Sequence, residues 1–205
     1  MNGLYIVTPD WDDTERLLLV SEQALQGGAA LLQYRHKTAG PELRRAQAAA
    51  LQALCRRYAR PFIINDYVEL CLELDADGIH VGGTDAAVVA VRAALGPDKI
   101  VGASCYGSLE LAHAAHLAGA SYVAYGGFYA SKVKKYPVTT SIDILAQSKA
   151  EIPLPCVAIG GMTRENSLPL VAAGADMVAA ISSIYLANDP VAAAREFADL
   201  FNASK

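Results

Sequence analysis

Eight short apolar runs recur along this chain, each paired with a stretch of helical character, and that alternation constrains the fold more than any other feature. Strands buried in a parallel sheet read as nearly continuous apolar runs. The runs are Leu4 to Thr8, Leu31 to Arg35, Pro61 to Asn65, Ile79 to Gly82, Ile100 to Ser104, Tyr122 to Tyr125, Cys156 to Ile159 and Met177 to Ile181. Helices are predicted over Thr14 to Gln26, Pro41 to Tyr58, Val68 to Leu74, Ala86 to Leu95, Ser108 to Leu117 and near Thr140 to Ser148. A further helix is expected to be capped by Asn166 or Ser167, with Pro169 in its first turn. Units of roughly 20 to 30 residues with no linker between them predict one domain over residues 1–205, a small closed (β/α)8 TIM barrel. An open doubly wound sheet would carry a Gly-x-Gly-x-x-Gly turn after its first strand, where this chain has Thr8-Pro9-Asp10-Trp11.

With 205 residues, 53% of them hydrophobic, the chain can bury one large core. A net charge of -4 gives no general attraction to nucleic acid or to an anionic membrane. No apolar run reaches the length of about 18 residues that a membrane span requires. Met1-Asn2-Gly3 leads straight into the first apolar run without the basic region and cleavage pattern of a signal peptide. A cytoplasmic protein acting on small-molecule substrates is expected, with assembly into a homo-oligomer left open. Cys55, Cys71, Cys105 and Cys156 lack any metal-finger or Cys-x-x-Cys spacing and read as reduced core or pocket residues.

In a barrel enzyme the polar residues that end the strands face the active site. Pro61-Phe62-Ile63-Ile64-Asn65-Asp66 runs from a buried strand straight into an amide and a carboxylate, and Gly78-Ile79-His80-Val81-Gly82 ends near a second carboxylate, Asp85. Two acids on neighbouring strand ends could share Mg2+, which takes one or two carboxylates plus substrate phosphates. Either acid could equally cap the helix that follows it. Gln33, Arg35 and Lys37 alternate, so an extended segment would place them on one side. Arg grips phosphate with two parallel hydrogen bonds and Lys adds a point charge, although a solvated strand end would read the same way. The segment Phe128 to Tyr136 carries three lysines and suits a polyanionic ligand, or is an ordinary basic loop. Gly160-Gly161 after the seventh run and Ser182-Ser183 after the eighth match the recurrent barrel phosphate site, though the glycines could merely turn the chain. His113 and His116 read as helix-surface positions, His80 as a hydrogen-bonded barrel residue, and Trp11 as a loop anchor or part of the site wall.

Taken together, Gln33-x-Arg35-x-Lys37, Ile64-Asn65-Asp66, Asp77-Gly78-Ile79-His80-Val81-Gly82-x-x-Asp85, Gly102-x-Ser104, Ser131-x-x-Lys134 and Val157-Ala158-Ile159-Gly160-Gly161 resemble the thiamine phosphate synthase family in content and order. The resemblance covers nearly the whole chain. It implies a transferase that joins a hydroxymethylpyrimidine diphosphate to a thiazole phosphate, or a carboxylated form of it, releasing pyrophosphate. It further implies that Gln33, Tyr34, Arg35, His36, Lys37, Asn65, Ser104 and Lys134 hold the pyrimidine diphosphate, with Arg35, Lys37, Ser104 and Lys134 acting in catalysis. Asp66 and Asp85 would bind Mg2+. Ser131, Lys132, Val133, Gly160, Gly161, Ile181 and Ser182 would hold the thiazole phosphate. Val133 replaces a hydroxyl residue frequent in the family, which removes a side-chain contact, and Gly83 replaces a frequent glutamine. A thiazole tautomerase on the same barrel and a non-catalytic thiamine phosphate binder are the rivals. The tautomerase needs no complete diphosphate site, and the binder would never release pyrophosphate.

Overall fold

The computed structural model describes residues 1–82, 85–130 and 139–202, apart from the side chains of Asp85 and Ala86. Its strands are β1 (Gly3–Val7), β2 (Leu31–Tyr34), β3 (Phe62–Asn65), β4 (Gly78–Gly82), β5 (Ile100–Tyr106), β6 (Tyr122–Gly126), β7 (Cys156–Ile159) and β8 (Met177–Ala180). They pair in parallel in chain order, and β8 closes on β1 through pairs such as Tyr5 with Ala179. The helices between them are α1 (Thr14–Gln26), α2 (Pro41–Arg57), α3 (Val68–Glu73), α4 (Asp85–Leu95), α5 (Leu109–Leu117), α6 (Asp143–Glu151) and α7 (Arg164–Ala172). Two more follow β8: a single turn, α8 (Ser182–Tyr185), and α9 (Pro190–Asp199). The architecture is the (β/α)8 barrel expected.

Alternation along each strand separates two cores. Tyr5, Val7, Leu31, Ile63, Tyr122, Ala124, Val157, Met177 and Ala179 fill the barrel, while residues such as Leu4, Ile6, Leu32, Tyr34, Phe62 and Ile64 pack outward against the helices. Most strands are therefore apolar on both faces, which is why they read as continuous runs; β4 and β5 turn Gly78, His80, Gly102 and Ser104 inward instead.

Three helices differ from expectation, each for a local reason. Helix α7 starts earlier, because Thr163 accepts from the Asn166 amide while the Asn166 side chain accepts from the Thr163 amide, so two otherwise unpaired backbone donors are satisfied together. Pro169 consequently lies inside the helix and not in its first turn. Helix α6 starts later, because Thr140 is tied back to the end of β6: its hydroxyl donates to Gly126 O at 2.6 Å and its amide to Gly127 O at 3.3 Å. Helix α9 belongs to the eighth strand and helix unit, for which the sequence sets no helix bounds. It is capped by Asp189, starts with Pro190 and buries Ala194 and Phe197. Gly27 at the end of α1 admits it, since a Cβ there would fall 2.5 Å from Val191 O and 2.6 Å from Ala194 Cβ.

Candidate active site

The carboxyl ends of the strands open into one crevice with two unlike walls. Gln33, Arg35, Lys37, Asn65, Asp66, His80 and Ser104 form the polar wall, on the β2 to β5 side. Val7, Ala124, Val157, Ile159, Ala179 and Ile181 form the other, from β1 and the β6 to β8 side. Such a cleft suits a ligand that is flat and apolar on one side and anionic on the other.

Arg35 is the most constrained of the polar group. Thr8 clamps its backbone, the hydroxyl accepting from Arg35 N–H at 2.7 Å and donating to Arg35 O at 3.0 Å. Asp10 holds its head group, with Nη1 donating to both carboxylate oxygens at 3.2 Å. Asp10 also accepts from the Lys37 amide at 2.9 Å, so one carboxylate orders both cationic residues. The residue is 8% exposed, and its Nε is buried without a partner among the described residues. A guanidinium N–H left so is costly unless a ligand or water accepts from it.

Asp66 stands on the same rim in a left-handed conformation, φ 63°, which Asp and Asn tolerate better than most residues. Its amide donates to His80 O at 3.0 Å, and the Tyr67 amide reaches back to Asn65 O at 2.8 Å, closing a three-residue turn around it. Helix α3 is capped at Tyr67 with no side-chain cap hydrogen bond, so the capping role is not the one Asp66 fills. One of its carboxylate oxygens instead accepts from Asn65 Nδ2 at 2.6 Å and lies 3.7 Å from Lys37 Nζ. That hard, half-exposed oxygen is of the kind Mg2+ takes, and α4 begins at Asp85 on the neighbouring strand connection. Among the described residues no group of three or more His, Cys, Asp or Glu is arranged to hold a metal ion, so a cation here would depend on these acids and on ligand oxygens. A register shift between Ser104 and Tyr106 bulges β5 where it meets β6, and Tyr106, at φ 54°, joins the crevice lining.

Tyr5 and His80 line the floor of the crevice and meet Tyr122 in the barrel interior below it. The Tyr122 and His80 rings stack with centroids 5.6 Å apart, and Tyr5 meets Tyr122 edge-on at 5.9 Å. Burial pushes the hydroxyls of Tyr5 and Tyr122 well above the ordinary tyrosine range, so both remain protonated.

Of the expected site residues, Gln33, Arg35, Lys37, Asn65, Asp66, Ser104 and Ile181 meet in this crevice. Tyr34 and His36 do not. Strand alternation turns Tyr34 outward, where its hydroxyl donates to Gln47 Oε1 at 3.0 Å. His36 is 2% exposed; its Nδ1 accepts from the Ala39 amide at 3.1 Å and its Nε2 faces Asp12 at 3.1 Å, so it pins the loop before α2. Gly160 and Gly161 adopt φ of 109° and 66°, and a Cβ on Gly161 would fall 2.3 Å from Ala130 O. They seat the segment after β6 and do not line the crevice among the described residues. Ser182 opens α8 beside Ile181, outside the lining, and the Ser183 hydroxyl donates to Met162 O. Trp11 is a loop anchor: it packs edge-on against Tyr185, under the Arg16 guanidinium. Ser131, Lys132, Val133, Lys134, Gly83 and the Asp85 side chain lie outside the described residues.

Thr8, Asp10, Tyr5 and Tyr122 are the contributors that reading the chain passed over. Thr8 and Asp10 follow β1 as Arg35 and Lys37 follow β2, so their strand-end position was the available signal.

A family model described as thiamine monophosphate synthase matches residues 4–184. A thiamine-phosphate synthase of Janthinobacterium sp. (strain Marseille) is 68% identical over 201 residues, covering 98% of this chain and 97% of that one. A second, from Methylobacillus flagellatus, is 49% identical over 202 residues, covering 98% and 96%. Among solved structures, the thiamine phosphate pyrophosphorylase from Pyrococcus furiosus superimposes with a TM-score of 0.85 at 29% identity, covering 98% of this chain and 96% of that one. The chain, matched almost end to end by relatives that keep its barrel, belongs to the thiamine monophosphate synthase family.

Proposed function

We propose that the crevice joins a pyrimidinylmethyl diphosphate to a thiazole phosphate. The activity itself, thiamine-phosphate synthesis by a transferase, follows from the family and from relatives of that name at 68% and 49% identity. In this reaction the bond from the methylene carbon to the diphosphate oxygen breaks, and its electron pair leaves on pyrophosphate. The lone pair of the thiazole nitrogen then forms the new bond to that carbon. If the thiazole is carboxylated, carbon dioxide leaves as well.

The observation that carries this reading is Arg35: a fixed guanidinium whose buried Nε has no partner among the described residues, beside Lys37, on the polar wall of a cleft whose other wall is apolar. Charge grows on the departing diphosphate, so cations held in place beforehand stabilise the transition state more than the ground state. Gln33, Asn65 and Ser104 offer hydrogen bonds to the pyrimidine diphosphate from the same wall. Val157, Ile159, Ala179 and Ile181 give two flat rings an apolar surface on which to stack in line. Lys134 would add a further cation, and Ser131 to Val133 with Gly160, Gly161 and Ser182 would hold the thiazole phosphate. Asp66 and Asp85 would hold Mg2+, which neutralises diphosphate charge when bound.

The test is pyrophosphate release with both substrates, with and without Mg2+. Release is expected only when both substrates and Mg2+ are present, with one pyrophosphate formed per thiamine phosphate. Release that ignores the thiazole phosphate, or isomerisation of the thiazole alone, would remove the assignment.

A further inference from the structure

A continuous line of hydrogen bonds crosses the barrel beneath the crevice and ties its two polar ends together. Gln33 Nε2 donates to Tyr5 Oη at 2.6 Å, and Tyr5 Oη lies 2.8 Å from Tyr122 Oη. Tyr122 Oη is 2.9 Å from His80 Nδ1, and His80 Nε2 is 2.8 Å from Ser104 Oγ. Gly102 makes room for this path: a Cβ there would fall 2.0 Å from the Tyr122 ring, so only glycine on the adjacent strand lets that ring reach His80 and Tyr5.

The direction of the line follows from counting hydrogens. A phenol has one hydrogen to donate. Tyr5 accepts from Gln33, and its only other hydroxyl contact among the described residues is Tyr122, so its hydrogen points there; the opposite choice would bury that hydrogen without an acceptor. Tyr122 in turn must donate to His80 Nδ1, which therefore carries a lone pair. His80 is then neutral, protonated on Nε2, and donates to Ser104 Oγ. The Ser104 hydrogen is left to point into the crevice. At the other end, Gln33 directs an N–H downward, and its carbonyl oxygen makes no hydrogen bond to the described residues.

We propose that Tyr5, Tyr122 and His80 are positioning residues whose ordered protons set the crevice pattern: Ser104 as donor, Gln33 as acceptor. The pattern matches an aminopyrimidine edge, where an amino donor lies beside a ring-nitrogen acceptor. A 4-oxo pyrimidine edge presents the opposite order. This deepens the substrate reading above and rests on it for the ligand, but the proton order is a property of the free protein and can be measured without substrate.

Nitrogen-15 NMR of the imidazole in the ligand-free protein reads the order directly. His80 is expected as the Nε2–H form; an Nδ1–H form means that the line runs backwards, with Gln33 flipped and Ser104 donating into the protein, and overturns the proposal. Two variants separate ordering from packing. Tyr122→Phe removes the donor to Nδ1, so the Nδ1 resonance should move to the position of a lone pair that accepts no hydrogen bond. Tyr5→Phe keeps that donor, so the Nδ1 resonance should stay where it is in the wild type. Thermal melts establish that each variant is folded, and an unchanged Nδ1 resonance in folded Tyr122→Phe also overturns the proposal. In turnover, the preference for the 4-amino over the 4-oxo pyrimidine diphosphate should fall roughly tenfold or more in Tyr122→Phe, with KM for the thiazole phosphate unchanged. If neither diphosphate reacts in the wild type, the substrate reading fails while the tautomer still decides the proton order.

Discussion

Arg35 and Asp10 form the most constrained charged pair of the crevice. The guanidinium is almost fully buried, so Asp10 acts less as a source of stability than as the group that fixes where the positive charge sits. Asp10→Asn keeps the size of the side chain and removes its charge. It should lower kcat/KM for the diphosphate substrate roughly tenfold to a hundredfold through misplacement of Arg35. Steady-state kinetics check this, and KM for the thiazole phosphate should stay within about twofold. Much of the polar wall was legible in the chain, because Gln33, Arg35 and Lys37 alternate and Asn65-Asp66 ends an apolar run. Tyr34 and His36 were misread for a reason the same alternation supplies: neighbours in an extended segment face opposite ways. Beyond its strand-end position, Asp10 has no comparable signal in the chain, since its role as an anchor shows only once the Arg35 head group is placed against it.

At the level of elements, the strands carried the strongest signal, since all of them are buried on both faces. Helix starts were less readable where a side chain competes for the backbone. The Thr163 and Asn166 pair moved α7 toward the amino terminus, and Thr140 delayed α6. Helix α9, in the eighth unit, packs on α1, and the contact depends on Gly27. Gly27→Val should therefore force α9 away from α1, and a cost of about 1 to 3 kcal/mol is expected for such overpacking. Urea unfolding with an unchanged m-value would measure it. Full wild-type stability in the variant would mean that the close approach of α9 does not matter.

Across the whole molecule, the apolar content that identified one large core also hides the thiols. Cys55, Cys71, Cys105 and Cys156 are all buried and free. Burial, which penalises the thiolate, pushes Cys55 and Cys105 up to about 12 and Cys71 and Cys156 up to about 11. The thiolate is the reactive form, so a native sample at neutral pH should react with Ellman's reagent at none of these positions, and at all four after unfolding. Rapid labelling of the native protein would place at least one of them at the surface. Among the described residues no helix is long and apolar enough to cross a membrane.

Under the proposed function, the β2 and β3 rim receives the leaving diphosphate. A crystal structure of the protein with pyrophosphate and Mg2+ tests it most directly. The expected result is a phosphate oxygen at roughly 2.7 to 2.9 Å from Arg35 Nε, with Lys37 beside it. Pyrophosphate bound elsewhere, with Arg35 Nε still unpartnered, would contradict it.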